Sequence, residues 1–429
     1  MRIDANTNIP VGRLSLLGVL NDPAYAKLFG AQVIALLGTG LLTVALGLLA
    51  FDIAGGQAGV VLGVAMTIKM VAYVAISPLA SAVVAHVRPK VVLISADLVR
   101  VAVALCLPLV TEAWHIYLLI FLLQAASATF TPSFQALIPS VLPDERQYTR
   151  ALSLSRLAYD LESLASPMLA AALLTITTYH HLFIGTALGF AVSTVLVLAT
   201  RFPEIAPPAP APFIDRLTRG TREFWASSEL RGLMGLNLVV ATATAMVIVN
   251  TVVLVQGTLN RTQTDVALLL AVSGAGSMLV ALSVPTLLER VPDRRVMFTG
   301  GAAIPLLLLI TAGVLSWLSG PTQWVALLLL WGLIGAASST ILTPSARLLR
   351  RASTDATRPA VFAAQFSLSH ACFLLTYPLA GLLGATLGLP AVSVLLSAIG
   401  ALGALLAARA WRHGPTSRAT DDLTVRSRQ

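Results

Sequence analysis

Apolar residues run along this chain in stretches of roughly twenty, broken by short polar connections rather than by strict alternation. Windows of about 19 residues place helices near 26–50, 57–84, 91–111, 115–138, 150–178 and 181–200. A second six fall near 232–255, 264–288, 296–318, 322–342, 359–387 and 390–411. Inside hydrocarbon only helices and closed barrels satisfy their own backbone, and long continuous runs without a two-residue period favour helices. The expected fold class is an all-α membrane protein with twelve transmembrane helices.

Composition agrees. Of 429 residues, 57% are apolar and 11% charged, against about 45–50% and about 25% in a globular chain. A mean hydropathy of +0.85 over the whole length leaves no room for a large polar domain. A soluble enzyme and a secreted disulfide scaffold are excluded, and Cys106 and Cys372 both lie inside apolar runs. The pI near 10.1 would suit nucleic acid, but the cations sit at the ends of apolar runs, so no nucleic-acid partner is expected. There is no Walker sequence, GxSxG or HExxH, and Gly274 and Gly276 have no strand before them. Neither enzyme chemistry nor a cofactor has support. Met1–Asp22 lacks the short apolar region and small-residue cleavage site of a signal peptide.

The cations set the orientation. Of 28 Lys and Arg, Lys69, Arg100 and Arg156 fall inside spans and Arg261 follows the seventh; the rest lie at the termini or in even-to-odd connections. Both termini are therefore expected in the cytoplasm, with the chain in a bacterial inner membrane.

The longest polar connection divides the chain. Residues 1–25 read as a cytoplasmic N-terminus, 26–200 as one six-helix bundle, 201–231 as a linker, 232–411 as a second bundle and 412–429 as a cytoplasmic tail. The linker opens with Pro207, Pro208, Pro210 and Pro212, which cannot be helical. Phe213, Ile214, Leu217, Phe224 and Trp225 then recur at helical spacing opposite Arg216, Arg219 and Arg222. This pattern predicts an amphipathic helix on the cytoplasmic leaflet.

The halves are related. Thr131-Pro132-Ser133, read as the end of the fourth span, recurs as Thr343-Pro344-Ser345 at the end of the tenth, 212 residues on. Ser166-Pro167-Met168-Leu169-Ala170 is mirrored by Tyr377-Pro378-Leu379-Ala380-Gly381, 211 residues on. Two six-helix repeats imply alternating access around a site between them, near mid-membrane.

With Glu289-Arg290-Val291-Pro292-Asp293-Arg294-Arg295 after the eighth span, the chain resembles the major facilitator superfamily, whose loops carry Gly-x-x-x-Asp-Arg-x-Gly-Arg-Arg. The first-half copy is eroded: Ser81 stands for the Gly, Ala85 for the Asp and His86 for the first Arg, and Arg88-Pro89-Lys90 follows. In the family that Asp helps latch the cytoplasmic side. The Asp97–Arg100 pair and the Phe130–Pro143 stretch are similar to the drug-efflux branch of macrolide and enterobactin exporters. Thr39 stands where that branch often has an acid. The segments Arg150–Glu162 and Phe362–Cys372 are similar to nickel-resistance exporters, although the tail from Trp411 holds only His413. The resemblance implies the major facilitator fold and export of a toxic solute, leaning to a divalent metal such as nickel. A multidrug or siderophore-like exporter is the alternative, and a non-transporting sensor or lipid-handling protein is a third reading.

Ionisable groups inside spans cost about 2.5–3.5 kcal/mol each and are functional candidates by default. Asp97 and Arg100 share one helix face and can pair, as a structural or a functional unit. Arg156 and Asp160 can pair likewise, whereas Glu162 lies about 200° around the helix from Asp160. Lys69 has no acid one turn away; its neighbours there are Ala65, Met66, Ala72 and Tyr73. An interhelical partner or a wet cavity is expected for it. The 211-residue offset maps Tyr159 onto His370, so Asp160 and Glu162 should share a depth with Gln365, His370 and Cys372. Carboxylate, imidazole and thiolate suit nickel, cobalt or zinc, which makes Asp160, Glu162, His370 and Cys372 the candidate metal ligands. Asp160 or Glu162 is the expected proton carrier, with Arg156 and Lys69 tuning them and Tyr159, Gln365 and His370 lining the site. Asn237 and Asn250 either line the cavity or bridge helices. Expected partners are the bilayer, protons and a small-molecule or metal-ion solute, with the chain a monomer.

Overall fold

The structure, a computed structural model, describes residues 16–54, 58–203 and 211–412. The first fifteen residues, Pro207, Pro208, Pro210 and the tail from His413 lie outside them. A short 3-10 turn, Leu16–Asn21, leads into the first span, Pro23–Ala54. Ala58–Val83, Pro89–Cys106, Ala113–Val141, Glu145–Leu174 and Tyr179–Leu198 complete the first half. The linker helix is Phe213–Ala226. The seventh span starts at Ser228–Thr244, followed by Gln263–Leu288, Asp293–Trp317, Gly320–Arg351, Arg358–Leu387 and Leu389–Arg412 as the eighth to twelfth.

Local chemistry explains where these helices begin and end. Asp144 caps the fifth span by accepting from the Gln147 N–H, and Thr262 and Asp265 form a reciprocal capping box on the eighth. Pro89, Pro321 and Pro359 sit in first turns, where their missing N–H leaves nothing unpaired. Gly388, at φ +83°, breaks the chain between the last two spans.

Two spans depart from the sequence reading in ways that bear on the site. The tenth span runs on to Arg351, because Arg347, Arg350 and Arg351 all find partners beyond its apolar core. Both Thr-Pro-Ser tripeptides therefore lie inside helices, with Pro132 and Pro344 in their interiors rather than at their ends. The seventh span continues past Thr244 through two π-helical stretches, Ala245–Val249 and Val253–Thr258, on either side of Asn250. Such turns are rare and frequent at functional sites; nothing in the hydropathy pattern announces them.

The halves pack alike. In the first, the first span lies against the sixth, the second against the fourth, and the third against both; the seventh to twelfth repeat this arrangement. Small residues allow the close approaches. Gly38 packs on Gly189, where an added Cβ would lie 3.2 Å from the Thr186 carbonyl oxygen, and Thr186 Oγ1 donates to the Gly38 carbonyl at 2.9 Å. The halves meet along two seams, the second span on the eleventh and the fifth on the eighth.

Among the described residues, ten helices are long and apolar enough to cross a bilayer. The fifth span carries Glu145, Arg146, Arg150, Arg156, Asp160 and Glu162 between its start and its middle turns. A helix that faces its neighbours along a seam does not need the apolar surface that lipid demands.

Candidate functional site

The fifth span positions the centre of the site. Asp160 is buried and pairs with Arg156 at 2.7 Å. Arg156 Nε donates to Ser277 Oγ of the eighth span at 3.1 Å, so this pair faces the other half. Glu162 turns the opposite way, as the 200° rotation requires. Ser166 donates weakly to its Oε1 at 3.4 Å, and a Cβ on Gly40 of the first span would lie 2.6 Å from that oxygen. Gly40 thus makes the room in which Glu162 sits.

Lys69 of the second span lies near enough to Glu162 for their charges to interact. Its ammonium also lies 5.7 Å over the Tyr73 ring. Tyr73 meets the His370 ring edge-on at 4.7 Å and the Phe366 ring at 4.9 Å, both from the eleventh span. Tyr159 lies near Gln32, which accepts from Ser155 at 3.0 Å. Lys69, Tyr73, Tyr159, Glu162 and His370 are all half-buried. The structure therefore brings together five groups from the second, fifth and eleventh spans.

It does not bring together the four candidate metal ligands. Asp160 faces the eighth span and Glu162 the first. Cys372 is buried and donates to Leu368 O of its own helix at 3.5 Å. Among the described residues no three His, Cys, Asp or Glu side chains converge on a common point. The reason is rotation: residues two apart on a helix cannot share a face. His370 Nδ1 lies 2.7 Å from Phe366 O, which can only accept, so Nδ1 carries the hydrogen and Nε2 is left for water or solute. Gln365 forms a reciprocal amide pair with Asn237, 3.0 Å in each direction, so both act as a bridge between the seventh and eleventh spans. Asn250 is buried and donates to Met246 Sδ at 3.6 Å.

Asp97 and Arg100 form an ion pair within the first bundle. Ser193 donates to Asp97 Oδ2 at 2.8 Å, and the guanidinium lies between the Phe130 and Phe190 rings, at 4.2 and 4.5 Å. Both are buried, and the pair ties the third, fourth and sixth spans together.

At the end that carries the cationic connections, the second-half signature holds the seam shut. Asp293 is buried and pairs with Arg351 at 2.6 Å and with Arg347 Nε at 3.5 Å. Arg347 reaches across to Glu145 at 2.6 Å and Thr149 at 2.9 Å, and Arg350 donates to Pro143 O, all in the first half. Arg294 pairs with Glu229 at 2.8 Å. Neither Glu289, Arg290 nor Arg295 has a part in this network. Deeper in, Ser77 donates to Ala363 O at 3.1 Å and Ser367 to Val74 O at 2.6 Å. These cross-seam bonds all lie on the cation-rich side of Lys69 and His370.

Comparison with known proteins agrees with this architecture. The Major Facilitator Superfamily model matches residues 28–309 and again 233–426. Macrolide efflux protein A of Enterococcus faecalis is 26% identical over 125 residues, 28% of this chain and 38% of that protein. Its counterpart in Streptococcus pyogenes is 24% identical over 150 residues, 34% of this chain and 37% of that protein. The chain thus aligns with little more than a third of these relatives' length. Among solved structures, a bacterial homologue of the iron transporter ferroportin superposes with a TM-score of 0.76 at 12% identity, covering 91% of this chain and 100% of that one. The human organic anion transporter MFSD10 gives 0.73 at 13% identity, covering 90% and 98%. At such identities the likeness is one of fold. Two pseudo-equivalent six-helix halves, a latch built on the signature loop and a family match spanning both repeats lead to one conclusion: this chain is a multi-pass membrane transporter, not an enzyme, and belongs to the Major Facilitator Superfamily.

Proposed function

We propose that the protein exports a small amphiphilic organic solute from the cytoplasm in exchange for protons, as a monomer in a bacterial inner membrane. The cation-rich end is the cytoplasmic one by the distribution of Lys and Arg. The observation that carries the reading is that Glu162 and Lys69 lie within electrostatic reach of each other, in a half-buried cluster with Tyr73, Phe366 and His370 of the second and eleventh spans, whose rings meet across the seam. A carboxylate that faces an ammonium in a half-dry cleft holds or releases its proton according to what else enters. The aromatic walls suit an apolar ring or chain, and His370 Nε2 offers one polar contact. The partial likeness to macrolide efflux protein A supports export of this solute class.

In mechanism, Glu162 takes a proton from the outside when the cation-rich end is shut. Protonation weakens its attraction for Lys69 and frees the cleft of solute. When the halves rock, the Arg347–Glu145 contact parts, the proton leaves inward and solute enters. The nickel expectation has less support, since its four ligands point in different directions.

An efflux assay in exporter-deficient cells, with a macrolide, ethidium, nickel and cobalt as separate arms, tests this reading. Lower accumulation of an organic compound, abolished by a protonophore, is the expected result. Protection against nickel or cobalt alone would overturn the solute class.

A further inference from the structure

The latch of the second half has no ionic counterpart in the first, and what replaces it is a cavity. Asp293 is held there between Arg347 and Arg351. In the first half Pro89 opens the third span where Asp293 opens the ninth, Ala85 stands where the family signature has its acid, and the 212-residue offset maps Arg347 and Arg351 onto Gln135 and Pro139. Around Ala85 the structure opens a cavity of about 1070 Å³. Arg88, Lys90 and Arg201 reach it from the first half, Arg216 and Arg219 from the linker helix and Arg358 from the second half, with Asp355 as the one carboxylate in its lining among the described residues.

These cations are not matched from within. Asp355 pairs with Arg358 at 2.7 Å, yet Arg358 Nε is buried without a hydrogen-bond partner, and so is Arg216 Nε. Arg358 as a residue is only 9% exposed. Lys90 donates to Leu198 O and Thr200 O, which fixes its ammonium at the rim. A buried guanidinium donor left unpaired is costly, and a cavity ringed by six cations with one acid has a strong positive potential.

We infer that this cavity binds the phosphate of an anionic phospholipid headgroup from the leaflet at the cation-rich end, with Arg216 and Arg358 as its central donors. A lipid rather than a soluble anion fits because the linker helix presents Phe213, Ile214 and Trp225 outward, as a helix lying in an interface does. Val84, Val87, Val92 and Phe202 add apolar lining. The helix is fixed in place: Phe224 is fully buried, and Gly220 lies so close to the Ala360 carbonyl that no side chain would fit. A headgroup here touches both halves and the linker at once. It supplies the negative charge that Ala85 lacks and strengthens the closed seam.

The test is native mass spectrometry and thermal unfolding of the full-length protein, loaded with dioleoylphosphatidylglycerol, with dioleoylphosphatidylcholine, or with inorganic phosphate. Phosphatidylglycerol should remain bound and raise the unfolding temperature, while the other two do neither. Arg216→Gln and Arg219→Gln should each weaken phosphatidylglycerol retention about fivefold, the effect of one cation at a charged surface. Arg222→Gln, on the same helix but paired with Asp215 at 2.7 Å, should leave retention unchanged. Equal retention in wild type and the Arg216→Gln/Arg219→Gln double variant would overturn the site. Stabilisation by inorganic phosphate to the same extent would overturn the lipid assignment.

Discussion

Arg347 of the tenth span donates to Glu145 of the fifth at 2.6 Å while its Nε lies 3.5 Å from Asp293 of the ninth. One guanidinium thus joins the second-half signature to the first half, at the end where the seam is shut. Glu145 is half exposed, so that contact contributes no more than about 1 kcal/mol. Arg347→Gln should raise the population open at the cation-rich end by about two- to fivefold. Asp293→Asn should raise it further, because Arg347 and Arg351 then lose their buried partner. Spin-label distances across the seam measure both; no change in Asp293→Asn would remove the latch.

The Asp97–Arg100 pair behaves differently. Removing one partner strands a buried charge, which costs about 3–5 kcal/mol. Arg100→Leu should therefore lower the unfolding temperature in detergent, and Asp97→Leu/Arg100→Leu should recover part of the loss and retain transport. Abolished transport in a stable double variant would show a functional pair instead.

Bridging by Asn237 and Gln365 is a matter of packing. Interhelical hydrogen bonds in membranes average about 0.6 kcal/mol. Asn237→Ala and Gln365→Ala should each destabilise by about that amount, and the double variant by less than the sum. Additive losses in thermal unfolding would mean that the two amides act independently.

Gly40 makes a sharper prediction. A methyl group there would press on Ser166 and on Glu162 Oε1. Gly40→Ala should reduce efflux several-fold with little change in expression, and Gly40→Ala/Ser166→Gly should restore much of it. Failure of the second change to rescue would place the Gly40 effect elsewhere.

Much of the fold can be read from hydropathy because a span must bury its backbone in hydrocarbon, whatever its neighbours are. The opposed directions of Asp160 and Glu162 were legible for the same reason: helix rotation is local. Partners across helices were not. Nothing within a few residues of Lys69 names Glu162, and Gln365 reads as a ligand until Asn237 is found against it. The run-on of the tenth span to Arg351 also depends on Asp293 and Glu145, far away in the chain. Imidazole, thiolate and carboxylate at one depth suggested a metal centre, but depth alone does not fix the facing of side chains. The eroded first-half loop was visible in sequence, whereas the basic cavity that takes its place needed the linker helix and Arg358 to be placed beside it.

Proton exchange at Glu162 is open to direct measurement in proteoliposomes that hold a pH-sensitive dye, with an outward gradient of an organic substrate found in the efflux panel. Wild-type protein should drive protons against the direction of solute flow. Glu162→Gln should still bind the solute but move no protons. Equal proton movement by wild type and Glu162→Gln would contradict the assignment of the coupling site.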